Sequence, residues 1–148
     1  MQRFQFRLET LLNIRKMHKE QAQINFSQAV DRLRLEQEQL AVFENKLFET
    51  INSFRSRQKA ERLMIDTLIA FQYYFDKTKA EIDGQQQKIK LADQYRQECL
   101  TTLKEAVKRC KLVEKLREKR LQQYQLAVLA AEQKILDEIG TQRYARRK

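Results

Sequence analysis

Proline is absent from this chain of 148 residues, and glycine occurs only twice, at Gly84 and Gly140. Both residue types punctuate turns, so a compact fold built on many tight turns is excluded. There is a single histidine, His18, set among Lys16, Lys19 and Glu20. Nothing at metal-ligand spacing accompanies it, and it reads as a solvated surface group. No glycine-rich phosphate loop occurs. No stretch approaches the ~20 consecutive apolar residues that span a bilayer. The opening MQRFQFRLET is charged throughout and lacks the apolar core of a secretory leader, so a cytoplasmic protein is expected. Two cysteines, Cys99 and Cys110, are ~16 Å apart along one continuous helix. That separation forbids a disulfide between them, and they read as small core residues.

What is present is helix-forming. Charged residues make up 34% of the chain and apolar ones 42%. The apolar share is too high for a disordered chain. Ala, Glu, Lys, Leu, Arg and Gln dominate, as they do in long helices and coiled coils.

Periodicity organises these residues. Steps of seven from Leu12 meet Lys19, Phe26, Leu33, Leu40, Leu47 and Phe54, with Arg15, Ala22, Ala29, Glu36, Phe43 and Thr50 three further on. This is an a/d heptad seam, interrupted at Lys19 and Glu36. A second seam joins Ile82, Ile89, Leu103 and Cys110 to Ala92, Cys99, Ala106 and Val113. Its small residues let a partner helix come close and accept knobs such as Phe26. Farther on the stripe shifts to Leu121, Tyr124, Val128, Ala131 and Ile135. The stretch VEKLREKRLQQYQ, from Val113 to Gln125, is thus a narrow apolar stripe on a solvated helix.

Between Phe54 and Met64 the only apolar groups are Ala60 and Leu63, and a turn is expected at about residues 58–63. The predicted architecture is all-α: a long antiparallel two-helix coiled-coil hairpin, with helix one over about 3–57 and a longer helix two over about 64–140. A basic tail, 141–148, follows. Helices of about 55 and 75 residues would be ~80 and ~110 Å long. Folding back lets each bury a stripe that neither could bury alone. A turn near residue 61 sets Leu40 near Ile82, Leu33 near Ile89, Leu12 near Cys110 and Leu8 near Val113. The first helix then ends close to Leu121. The stripe Leu121, Tyr124, Val128, Ile135 and Ile139 is left without a partner in the chain, as interaction surfaces are.

A two-helix hairpin has no interior in which catalytic groups can converge, so an enzyme is not expected, nor a cofactor. The aromatic cluster Phe71, Tyr73, Tyr74 and Phe75 points around more than half of one helix, so at least one ring is expected in solvent. Exposed rings favour interfaces. The formal net charge is +10. From Lys104 to Arg120 there are eight Lys or Arg residues against three Glu, and RYARRK closes the chain. Solubility, an acidic protein partner and nucleic acid are each consistent with this balance. No nucleic-acid-binding module is visible, and nucleic acid is not the expected partner.

Three segments carry a resemblance. FQFRLETLLNIRKMHKEQAQINFSQA at the start, LVEKLREKRLQQYQ in the second helix and EQKILDEIGTQRYARR at the end resemble the flagellar export family FliJ, in order and over nearly the whole chain. The resemblance implies an antiparallel two-helix coiled coil, similar to the terminal helices of the rotary ATP synthase gamma subunit. It implies a non-enzymatic stalk of the flagellar type III export apparatus, cytoplasmic and peripheral to the inner face of the cell membrane. Its expected partners are the hexamer of the export ATPase FliI, whose assembly and activity it promotes, the export gate protein FlhA, and substrate chaperones. Membrane contact would come only through the apparatus. By rough alignment the gate-binding surface falls on Phe71, Tyr74, Thr78, Glu81 and Gln85, with Phe75 and Ile82 able to substitute where Thr78 and Glu81 depart from an apolar pattern. The ring-binding surface is expected at Leu121, Tyr124, Val128, Ile135, Arg143, Arg146 and Arg147. The competing readings are a structural or tethering coiled coil and a basic nucleic-acid-binding hairpin.

Overall fold

A computed structural model describes residues 2–60 and 64–147. Helix α1 spans Glu9–Lys59 and helix α2 spans Ile65–Arg146. Of the described residues 93% are helical, and none is in a strand. The two helices pack against each other as a hairpin, α2 being the longer. The expected turn at 58–63 includes residues 61–63, which lie outside the described residues.

Neither helix starts on a capping side chain. The carbonyl of Leu8 accepts the amide of Leu12 at 2.9 Å, and the carbonyl of Met64 accepts that of Leu68 at 3.1 Å. The charges at the ends do follow the helix dipole: Glu9 and Asp66 occupy first turns, and Arg57, Lys59, Arg143 and Arg146 occupy last turns. Gly84 and Gly140 sit inside α2 with open space around them, not at turns.

Packing gathers the chain into two units, residues 1–21 with 104–148, and residues 22–103. In the second unit the helices run antiparallel, with Glu36 meeting Gln85 and Phe54 meeting Phe71. The α1 seam is present at every step from Leu12 to Phe54: each of those positions is buried or half-buried, while the residues between them are mostly exposed. The α2 seam runs on towards the N-terminus past Ile82, through the half-buried Phe75 and Phe71, and takes in two polar residues, Thr78 and Gln85. Both are polar and almost wholly covered, Thr78 at 2% and Gln85 at 3% exposure.

Each is satisfied. The Thr78 hydroxyl donates to the carbonyl of Tyr74 at 2.8 Å. Gln85 Nε2 donates to the carbonyl of Glu36 at 2.9 Å and to the Glu36 carboxylate. The interruption of the first seam at Glu36 therefore faces a polar residue of the second, and among the described residues no buried side-chain nitrogen or oxygen lacks a partner. Gln85→Leu is expected to destabilise the protein by about 1–2 kcal/mol, because Glu36 loses its donor while remaining half-buried. The double variant Glu36→Leu/Gln85→Leu should recover that loss, since an apolar pair needs no donor. Urea unfolding followed by circular dichroism measures both, and equal destabilisation by the single and double variants would refute the pairing.

In the first unit, Leu12 and Cys110 are the largest fully buried side chains. Both cysteines are free and buried, as their spacing implies. Burial, then contact with Glu114, pushes the Cys110 thiol up from its ordinary value, so it stays protonated and is a poor nucleophile.

Candidate functional site

Two surfaces are built on this frame, one in each unit. In unit 22–103 the last turns of α1 meet the first turns of α2 through an aromatic cluster. Phe54 meets Phe71 edge-on at 5.1 Å and Phe75 at 6.1 Å between ring centroids. Phe71 and Phe75 stack at 6.2 Å, one turn apart. The Arg57 guanidinium lies 5.6 Å from the Phe71 ring. These contacts hold the two rings to the seam and leave their neighbours outside. Tyr73 is 72% exposed and Tyr74 40%.

An open groove runs beside the cluster, with Glu49, Ser53 and Arg57 on the α1 side and Thr67, Phe71 and Tyr74 on the α2 side. Ile65, Ile69 and Tyr73 follow one another at helical spacing on α2, and all three are exposed. The expected gate residues divide accordingly. Tyr74 and Glu81 face solvent, Phe71, Phe75 and Ile82 are half-buried, and Thr78 and Gln85 are buried against α1. A partner reaches Thr78 or Gln85 only by parting the helices. The sequence alone does not single out Glu49, Ser53 and Arg57, whose spacing of four puts them on one face of α1, nor Ile65 and Ile69, eight and four residues before Tyr73.

The second surface lies in unit 1–21 with 104–148. The stripe at Leu121 and Tyr124 is not without a partner, as the helix lengths had suggested. Helix α1 begins at Glu9 and not near residue 3, and the non-helical residues ahead of it lie on α2. Phe4 packs on Tyr124 with ring centroids 5.5 Å apart, and the Tyr124 hydroxyl donates to the carbonyl of Gln2 at 2.7 Å. Arg117 pairs with Glu9 at 3.1 Å and lies 5.9 Å from the Phe4 ring. Leu121, Tyr124, Val128 and Ala131 are half-buried. Beyond them α2 is exposed, Ile135 at 57%, with Leu136 and Ile139 also open to solvent. The helix continues through Arg143 to Arg146, and the Arg147 amide donates to the Tyr144 carbonyl at 3.2 Å.

Charge separates the units. Unit 1–21 with 104–148 holds 18 Lys or Arg against 8 Asp or Glu, a net of +10, whereas unit 22–103 holds 12 of each. The whole formal charge of the protein thus belongs to the unit that contains both termini. Among the described residues there is no group of three His, Cys, Asp or Glu able to hold a metal, and no helix long and apolar enough to cross a membrane.

The fold and its surfaces define a class: an antiparallel two-helix coiled coil that offers grooves and exposed stripes to other molecules. Within that class, the family model described as flagellar FliJ protein matches residues 4–148, and the chain belongs to that family. Membership makes it a component of the flagellar export apparatus. No curated protein and no solved structure matches it individually at a significant level.

Proposed function

We propose that this protein is the stalk of the export ATPase: the unit holding both termini enters the FliI ring and promotes its assembly and hydrolysis, and the aromatic surface of the other unit engages the export gate protein FlhA. The observation that carries this reading is the division of charge. A net +10 on one unit and zero on the other is the pattern of a protein with one electrostatically steered surface and one that binds by shape and apolar contact. The exposed Leu126, Leu129, Ile135, Leu136 and Ile139 stand next to Arg143, Arg146 and Arg147, so encounter by charge can be followed by burial of apolar area. At the other surface, Tyr73 and Tyr74 present amphipathic rings beside an open groove, which suits a protein partner. Escort of substrate chaperones belongs to the same reading and would use exposed coiled-coil faces.

The test mixes the full chain with the cognate export ATPase and follows hexamer formation and ATP hydrolysis across a salt series. Stimulation that weakens as salt rises is expected. Hydrolysis unaffected by the protein at any salt would refute the ring assignment. The gate surface is tested by Tyr74→Ala. Its side chain is exposed, whereas Phe75 is half-buried in the cluster and its loss would also loosen the fold. Tyr74→Ala should weaken gate binding about 10–100-fold, as expected for an interface anchor, with helix content unchanged. Unaltered affinity in a calorimetric titration would remove Tyr74 from the gate contact.

A further inference from the structure

Residues 2–8 take no part in either helix, yet they are not loose from α2. Phe4 lies on the ring of Tyr124, the carbonyl of Gln2 takes the Tyr124 hydroxyl, and Arg117 closes over Phe4 while pairing with Glu9. The segment and α2 enclose a groove lined by Phe4, Phe6, Leu116, Arg120 and Tyr124. Tyr124 thus has both its ring face and its hydroxyl occupied from within the chain. Those are the two groups through which a tyrosine anchors an interface.

The cover is weakly held. Gln2, Arg3, Gln5, Arg7 and Leu8 are exposed, and only Phe4 and Phe6 are half-buried. The ion pair beneath it has both partners 40% or more exposed, so solvent screens it. Against these contacts stands the entropy of ordering a non-helical backbone, which grows with each residue fixed. A segment with few buried groups and many exposed ones belongs to the low-stability part of a structure, the part that opens locally.

We infer that residues 2–8 form a strap that masks the α2 face around Leu116, Arg120 and Tyr124 in the free protein and lifts when the export ATPase takes that face. Phe4 is the pin of the strap. The inference rests on the ring reading above. A masked face binds with an affinity reduced by the fraction of molecules in which the strap is open, so loosening the pin should tighten apparent binding.

Full-length wild type, Phe4→Ala and Phe4→Leu distinguish the possibilities. Leucine keeps apolar bulk but loses the ring contact with Tyr124 and the stacking of Arg117, so it should lie between the other two. Two measurements are made: the rate of tryptic cleavage after Arg3 and Arg7, which reports an open strap, and the protein concentration giving half-maximal stimulation of the export ATPase. Circular dichroism verifies that the helices are intact. Phe4→Ala is expected to speed cleavage and to lower the half-maximal concentration about 3–10-fold. Faster cleavage with an unchanged or higher half-maximal concentration would overturn the inference and make the strap a clasp or a part of the contact. Cleavage no faster than in wild type would show that Phe4 does not hold it. Absence of stimulation by all three proteins would overturn the ring reading, and the masking role with it, while cleavage would still report whether the strap docks.

Discussion

Leu12→Ala is expected to lower folding stability by about 2–5 kcal/mol, among the largest effects of any single truncation in this chain. Leu12 is one of the two largest side chains in the protein that are fully buried among the described residues, the other being Cys110. Most of the α1 seam is only half-covered, because a pair of helices shields one stripe and leaves its margins wet. Where a leucine is completely covered, its removal leaves a cavity that the surrounding packing fills only in part. The position also matters. Leu12 lies one turn inside the start of α1, where Leu8 supplies the first helical carbonyl and no capping side chain assists. Loss of its packing should fray the helix start and release residues 2–8 from α2. Urea unfolding should therefore show a lower midpoint, and amide exchange should speed up most over residues 9–20. A change in stability below ~1 kcal/mol would mean that the helix start is held by something other than the seam.

The fate of Leu12 also shows how much the sequence reveals. In α1 each seam residue from Leu12 to Phe54 is legible, because the heptad count is kept through its three charged members, Arg15, Lys19 and Glu36. In α2 the phase was equally regular, but Thr78 and Gln85 hid it. A polar residue on a buried stripe carries no hydropathy signal; counting back by sevens from Ala92 and Cys99 finds both, and the same count reaches Phe71. Those two residues consequently read as outward contacts by alignment, whereas they face α1.

The start of α1 was illegible for a different reason. Helix starts are read from Ser, Thr, Asp or Asn caps, and Leu8 and Met64 occupy those places here. Nothing in MQRFQFRLET distinguishes a first helical turn from a segment that packs its phenylalanines on a distant tyrosine. The pairing of Phe4 with Tyr124 depends on where the chain folds back, and that is tertiary information. The charge division has the same character. The net +10 is visible in the composition, but its confinement to one unit appears only when residues 1–21 are brought to 104–148.

Truncation before Leu126 is expected to abolish stimulation of the export ATPase while leaving gate binding within about twofold of wild type. The deleted stretch holds the exposed Leu126, Leu129, Ile135, Leu136 and Ile139 together with Arg143, Arg146 and Arg147, and its only half-buried positions are Val128 and Ala131. The aromatic cluster and its groove belong to the other unit, made of residues 22–103, so their geometry does not depend on the missing turns. Two contributions are lost together. The apolar stripe supplies buried area, and the arginines supply attraction at a distance. They can be told apart by reversing charge without truncation. Arg143→Glu, Arg146→Glu and Arg147→Glu combined should slow association about 10-fold or more at low salt, change dissociation much less, and converge on wild type as salt rises. If the stripe is the anchor, that charge-reversed protein still stimulates hydrolysis fully at saturating concentration, whereas the truncated one does not at any concentration. ATP turnover against protein concentration decides between them. Full stimulation by the truncated chain would mean that α2 beyond Leu126 is not what the ring holds.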